Sequence, residues 1–236
     1  IGNIVNRKNR QDSKKASMFT KLGRSIMVAA REGGPDPEYN SALMSAIEKA
    51  KAANMPNDNI DRAIKKGSGE LGDAQYMEVT YEGYGPGGVA VLVECLTDNV
   101  NRTAGEVRSY FSKGNGNLGT NGCVSYLFEH AGVLVIDREE TMDEDEVMML
   151  ALDAGADDFV AEEDHFEIYT SIEEFGSVRD GLKDAGFTFS MAELRYLPHN
   201  TTSLKDEKDL KSMQKLLDLL EDSDDVQNVY TNWDLA

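Results

Sequence analysis

The stretch that decides the fold runs from Tyr81 to Phe128. It opens with Tyr81-Glu82-Gly83-Tyr84-Gly85-Pro86-Gly87-Gly88 and passes into the apolar run Val89 to Leu96. Thr97-Asp98-Asn99-Val100-Asn101-Arg102-Thr103 follows, then a helical pattern to Phe111, a Gly/Asn-rich loop from Gly114 to Gly122, and a second apolar run ending at Phe128. Val89-Ala90-Val91-Leu92-Val93 is too short for a lone helix, is rich in β-branched residues and is bounded by glycine, so it predicts a buried strand. Val107, Tyr110 and Phe111 fall at i, i+3 and i+4 and make one apolar helix face. The order is therefore strand, loop, helix, loop, strand.

Both glycine loops fit G-x-G-x-x-G, through Gly83, Gly85, Gly88 and through Gly114, Gly116, Gly119. That motif holds a pyrophosphate only where a strand precedes it and a helix N-terminus follows, because the helix amides bind the anion. Here the first loop precedes a strand and Pro86 removes an amide. The second follows a helix. Turns with glycine at positive φ are the better reading.

Working outward, Met77 to Tyr81 reads as a strand beside Val89 to Leu96. Gly132 to Ile136 reads as another strand, followed by a helix from about Asp143. Asp157 to Glu162 and His165 to Thr170 read as a hairpin around Glu163-Asp164. A helix from Ile172 and a strand from Thr188 to Leu197 complete this unit. Leu152-Asp153-Ala154-Gly155 recurs, spaced out, as Leu182-Lys183-Asp184-Ala185-Gly186, each time at a helix end. Strand-helix-strand twice over is the ferredoxin-like pattern. Past Pro198 come a helix from about Lys205 to Glu221, with Leu210, Met213, Leu217 and Leu220 on one face, and a strand from Val226 to Thr231. These would leave the first sheet incomplete if they belonged elsewhere. The expected fold is α+β and multidomain: a basic all-helical domain (1–72), a middle α/β domain (73–130 with 198–236), and a ferredoxin-like α/β domain (131–197) inserted in it, with antiparallel or mixed sheets.

The N-terminal part reads as three short amphipathic helices. Asp12 or Ser13 caps the first, which runs to about Arg31 and stops at Gly33-Gly34-Pro35. The second covers Pro37 to Asn54, and the third follows Pro56 to Gly67. None can bury a face alone, so they pack together.

Charge is divided along the chain. The net charge is −19 over 236 residues, yet residues 1–66 carry 13 Lys/Arg against 7 Asp/Glu. Such asymmetry argues for two parts with different partners. Arg7, Lys8, Arg10, Lys14, Lys15, Lys21 and Arg24 crowd into the first 24 residues against Asp12 alone, and they are the candidate nucleic-acid-binding residues. About six neutralised phosphates would supply non-specific affinity at moderate salt. No helix-turn-helix signature or aromatic interleaving supports base reading. Hydrophobic content of 40% and charged content of 28% are those of a soluble globular protein. No apolar run approaches the ~18 residues of a membrane span, and no signal peptide is evident. A cytoplasmic location is expected. The chain starts at Ile1 rather than Met, so residues are expected before it.

Catalytic chemistry finds little footing. Cys95 and Cys123, both in predicted strands, have no metal-ligand spacing and read as buried small side chains in a reducing compartment. His130, His165 and His199 are far apart and read as solvated. The runs Asp143–Glu146, Glu162–Asp164 and Asp222–Asp225 lack the pattern of a calcium loop and read as solvated helix starts and turns. No nucleophile–base arrangement is visible. No catalytic residue, metal or cofactor is expected. Asn99, Asn101 and Arg102 form the most conspicuous polar cluster. Capping of the next helix by Asn101 or Thr103 competes with a binding role for Arg102.

Several uncommon strings in order carry a resemblance. Tyr81 to Gly88, Glu94-Cys95-Leu96-Thr97-Asp98-Asn99 with Asn101-Arg102-Thr103, Gly116-Asn117-Leu118-Gly119, and Val124-Ser125-Tyr126-Leu127-Phe128 resemble the YebC family. Lys14-Lys15-Ala16, Phe19-Thr20-Lys21, Arg62-Ala63-Ile64 and Asp225-Val226-Gln227-Asn228-Val229-Tyr230 extend the likeness over nearly the whole chain. One departure is the absence of the aromatic residue that the family places before Asn3-Ile4.

The family's members are usually described as probable transcriptional regulatory proteins, and its mitochondrial relatives are translational activators. The resemblance implies a three-domain layout and a non-enzymatic, DNA-binding regulator of gene expression. The alternatives are a ribosome-associated translation factor, contacting ribosomal RNA, and an acidic interaction scaffold that touches no nucleic acid. Ribosome or RNA polymerase contact through the acidic domains, and no membrane partner, complete the expectation.

Overall fold

The computed structural model describes residues 15–69 and 75–234. It has a mixed α+β fold in two compact units, one of residues 1–127 with 200–236 and the other of residues 128–199.

The first unit begins with three helices, α1 (Lys15–Gly33), α2 (Ser41–Ala52) and α3 (Asn57–Gly67). Leu22, Ile26, Ala29 and Ala30 of α1 meet Leu43, Ile47 and Ala50 of α2 and Ile60 and Ala63 of α3 in one apolar core, as the helical spacing of these residues requires. Asn40 fixes the first corner. Its Oδ1 accepts the Leu43 amide at 3.1 Å as N-cap of α2, while Nδ2 donates to Ala29 and Gly34 carbonyls at the end of α1. Pro37–Tyr39 forms a separate 3₁₀ turn, so α2 starts later than the sequence pattern implies.

A four-stranded antiparallel sheet follows, built from β1 (Met77–Tyr84), β2 (Ala90–Thr97), β3 (Asn117–Leu118) and β8 (Val226–Thr231) in the order β3-β1-β2-β8. The β1–β2 turn needs Gly87 at φ +67, a conformation costly for any residue with a Cβ. Helices α4 (Val100–Lys113) and α7 (Glu207–Asp222) pack on one face. There Val91, Val93 and Cys95 meet Val107, Phe111, Met213, Leu216, Leu220 and Val229. The chain thus returns after residue 199 to pair β8 with β2, Val93 opposite Val229.

The second unit runs β4 (Phe128–Asp137), α5 (Glu144–Asp153), β5 (Asp158–Ala161), β6 (His165–Thr170), α6 (Phe175–Asp184) and β7 (Met191–Pro198). Its strands are all antiparallel in the order β5-β6-β4-β7, the ferredoxin-like topology. Leu134, Ile136, Phe166 and Ile168 face Val147, Ala151, Val178 and Leu182 of the two helices. The period-2 alternation of β6 then sends His165, Glu167 and Tyr169 to the opposite face.

Two local expectations are corrected. The run ending at Phe128 is a 3₁₀ turn over Ser125–Leu127 that leads into β4, and Cys123 lies in the preceding loop rather than in a strand. Helix α4 is capped by Asn99, whose Oδ1 accepts the Arg102 amide at 3.0 Å, not by Asn101 or Thr103.

Candidate nucleic-acid interface

Of the residues singled out for nucleic-acid binding, Arg7, Lys8, Arg10 and Lys14 lie outside the described residues. Lys15 is the first residue of α1. Lys21 and Arg24 on α1 and Arg102 in the first turn of α4 converge on one place, the segment 221–225 where α7 gives way to β8.

Asp225 is the hub. It is 4% exposed, and a buried carboxylate persists only if its charge is answered. Arg24 Nη1 donates to Oδ1 at 2.7 Å, Arg102 Nη2 to Oδ2 at 3.0 Å and the Thr103 hydroxyl to Oδ2 at 3.0 Å. Burial alone would raise the Asp225 pKa, but hydrogen bonds from Arg24, Arg102 and Thr103 outweigh it and hold the carboxyl below its usual value. Arg24 also donates to the Asp224 and Leu96 carbonyls, and its guanidinium stacks 4.9 Å from the Tyr76 ring. Arg102 makes a further ion pair with Asp98 at 2.9 Å. Lys21 Nζ donates to the Glu221 carbonyl at 2.6 Å. Burial pushes the Lys21 pKa down against the opposing pull of Glu221, Asp224 and Asp222. Gln227 of β8 completes the seam, accepting from Ser25 and donating to the Lys21 carbonyl.

These contacts fasten the helical layer to the sheet. The two cores share no residue, and a cleft of about 310 Å³ lined by both polar and apolar side chains, among them Ser25, Val28, Glu32, Val79, Glu94 and Gln227, runs between them. Ionic and hydrogen-bonded contacts make much of the link. Lys21, Arg24 and Arg102 are therefore committed to holding the unit together. The cations of the helical part left without an ion pair or side-chain hydrogen bond, among the described residues, are Lys51, Arg62, Lys65 and Lys66, all exposed. Arg62, Lys65 and Lys66 sit at i, i+3 and i+4 on one face of α3.

Sequence reasoning missed three polar centres. Asp225 belongs to an acidic run whose sequence reads as solvated, and it is buried. Glu82 of β1 is 6% exposed. Its carboxylate accepts the amides of Gly122 and Ser125, each at 2.6 Å, and of Val124 at 3.2 Å. Burial works to raise its pKa, but these amides prevail and lower it. The second glycine loop is thus an anion nest filled by the protein's own carboxylate. His165, read as solvated, is 8% exposed. Its ring nitrogens face Asp164 at 2.5 Å and Glu167 at 2.9 Å, and Tyr169 donates to Glu167 at 2.7 Å. Burial opposes a charged imidazole, yet the two carboxylates prevail and raise its pKa. The partners of Asp225 and Glu82 lie far along the chain, whereas those of His165 are its neighbours Asp164 and Glu167, the latter two residues on along β6, so the period-2 alternation of that strand was the signal that could have found them.

Among the described residues no group of His, Cys, Asp and Glu could hold a metal ion, and no helix is long and apolar enough to cross a membrane. Burial pushes the Cys95 thiol up to about 12, which disfavours the thiolate a nucleophile needs.

Residues 1–70 match the model of the TACO1/YebC protein N-terminal domain, and residues 76–233 match that of the TACO1/YebC second and third domain. A probable transcriptional regulatory protein of Clostridioides difficile (strain 630) is 57% identical over 235 residues, spanning 100% of this chain and 98% of that protein. One from Finegoldia magna is 57% identical over 231 residues, spanning 98% of this chain and 95% of its own. The crystal structure of the conserved hypothetical protein Aq1575 from Aquifex aeolicus superposes with a TM-score of 0.84 at 47% identity, covering 95% of this chain and 92% of that one. With both family models matched and full-length identity at this level, the chain belongs to the TACO1/YebC family.

Proposed function

We propose that this protein is a non-enzymatic, cytoplasmic regulator of gene expression that binds nucleic acid through its basic helical part, as a DNA-binding transcriptional regulator. The observation that carries the reading is the segregation of charge. Residues 1–66 hold 13 Lys/Arg against 7 Asp/Glu, in a chain whose net charge is −19. The names of its relatives, probable transcriptional regulatory proteins, support it. Arg62, Lys65 and Lys66 on α3 join Arg7, Lys8, Arg10, Lys14 and Lys15 as the phosphate-facing cations. Lys21, Arg24 and Arg102 act behind them by fixing the helical layer.

The test is duplex DNA binding by the native protein and by Arg62→Glu/Lys65→Glu/Lys66→Glu. All three side chains are exposed, and a circular dichroism melt should show the fold kept at a cost of less than about 1 kcal/mol per charge placed at the C-terminus of α3. Loss of three phosphate contacts should weaken binding by at least about tenfold at moderate salt. Unchanged affinity would remove α3 from the interface.

A second reading, a ribosome-associated translation factor, is favoured by the second unit. Residues 128–199 hold 20 Asp/Glu against 4 Lys/Arg, a field that repels duplex DNA but suits the basic protein surfaces of a ribosome. Sedimentation of the native protein with ribosomes, lost in the α3 variant, would favour translation. A protein that stays at the top of the gradient would exclude it.

A further inference from the structure

The second unit has a surface that the nucleic-acid reading does not use. Helix α5 buries Val147 and Ala151 against the sheet. Its opposite face presents Met149 at 60% and Leu152 at 45% exposure. They lie at i and i+3, on the same face as Asp145 one turn earlier, with the exposed carboxylates of Glu146 and Asp153 along one side. Two large apolar side chains thus lie side by side on a solvated helix face of a unit whose net charge is −16. Methionine adapts its shape to varied partners and is enriched at protein interfaces. The acidic rim excludes nucleic acid and anionic lipid by repulsion and selects a cationic occupant.

We propose that this face of α5 is a docking surface for a lysine- and arginine-rich amphipathic segment of a partner protein. The segment lays its apolar side on Met149 and Leu152, and its cations reach Asp145, Glu146 and Asp153. The arrangement is the helix-in-groove mode reduced to an exposed stripe: apolar anchors fix the register and the charged rim speeds encounter. It stands independently of what the helical part binds.

The probe is a synthetic 20-residue amphipathic peptide, leucine on one face and lysine and arginine on the other, with a scrambled peptide of identical composition as control. Binding to the full chain is read by fluorescence anisotropy at about 0.1 M salt, where charges beyond ~10 Å are screened. The amphipathic peptide should bind at least about tenfold more tightly than the scrambled one, a margin set by apolar anchoring. Met149→Glu/Leu152→Glu should lose about tenfold in affinity although it makes the surface more acidic. Asp145→Asn/Glu146→Gln/Asp153→Asn should lose several-fold and show a weaker salt dependence. All of these side chains are exposed, so a far-ultraviolet circular dichroism melt should match the native one. Equal or tighter binding by Met149→Glu/Leu152→Glu would mean that bulk charge alone attracts the peptide, and would overturn the proposal. So would no difference between the two peptides, or a single-stranded RNA that binds this face and is lost in the same variant.

Discussion

Replacing Asp225 tests whether the helical layer is held by charge. Asp225→Ala removes a carboxylate that is 4% exposed and accepts from Arg24 at 2.7 Å, Thr103 at 3.0 Å and Arg102 at 3.0 Å. The arm to Arg102 adds little, because that side chain is 41% exposed and water screens it. The arm to Arg24 matters more, because that guanidinium is 14% exposed and Asp225 is its carboxylate partner among the described residues. Breaking a buried pair on one side costs about 3–5 kcal/mol. Arg24 keeps carbonyl partners at Leu96 and Asp224, so the lower end, about 3 kcal/mol, is expected. The carboxyl's folded pKa is depressed. Its contribution is therefore fully present above the unfolded value near 4 and is lost as pH falls through the folded value. Urea unfolding at neutral pH should show the full deficit, and it should shrink under acid conditions. Hydrogen exchange should locate the loosening in α1 and at the start of β8 before the rest of the sheet. Arg24→Leu on the Asp225→Ala background should recover part of the loss, since it removes the stranded cation. A deficit below about 0.5 kcal/mol at neutral pH, the scale of a neutral surface change, would refute the clasp. So would a deficit that ignores pH.

Two further outcomes follow from the other buried charges. Glu82→Gln keeps the shape but weakens three hydrogen bonds to the 122–125 loop. It should cost about 1–3 kcal/mol in thermal unfolding, and because the Glu82 pKa is lowered the difference from native should close as pH falls. For His165 the sign is opposite. Its pKa is raised, so its stabilisation is complete below the unfolded value of about 6.5 and is lost as pH rises through the folded value. The His165 ring signals should titrate above those of a free histidine by NMR, and Glu167→Gln should bring them back down.

How much was legible follows from where each partner lies in the chain. Val89 to Val93 and Val226 to Thr231 announce themselves by β-branched composition. The ferredoxin-like unit shows in the repeated helix-end pattern at Gly155 and Gly186. These are local signals. Asp225 is 201 residues from Arg24 and 123 from Arg102, and nothing within a window of any length joins them. The basic run over α1 was visible, but helical spacing does not say which cations turn inward when a second layer packs against the helix. Glu82 looked like one more strand carboxylate because its amides lie in a loop some 40 residues on. Of the six motif glycines only Gly88 takes positive φ; Gly83 lies within β1, where a Cβ would meet the Asn117 carbonyl, and the anion partner of the second loop could be identified only once β1 and the loop were side by side.

The committed cations also change what nucleic-acid binding should look like. Counting every Lys and Arg of residues 1–66 overstates the charge that phosphates can reach, since Lys21 donates to the Glu221 carbonyl of α7, Arg24 to Asp225 just before β8 and Arg31 to the Tyr76 carbonyl just before β1. If α3 alone binds, three phosphates are neutralised and log K should fall with log salt at a slope of about −3. If Arg7, Lys8, Arg10, Lys14 and Lys15 bind as well, eight are neutralised and the slope approaches −7. The Arg62→Glu/Lys65→Glu/Lys66→Glu variant separates the cases. In the first it abolishes measurable binding. In the second it removes about 3 from the slope and leaves a residual complex carried by the N-terminal cations. A native slope near zero would mean that no phosphate contacts are made, and the basic helical part would then be a solvated surface rather than an interface.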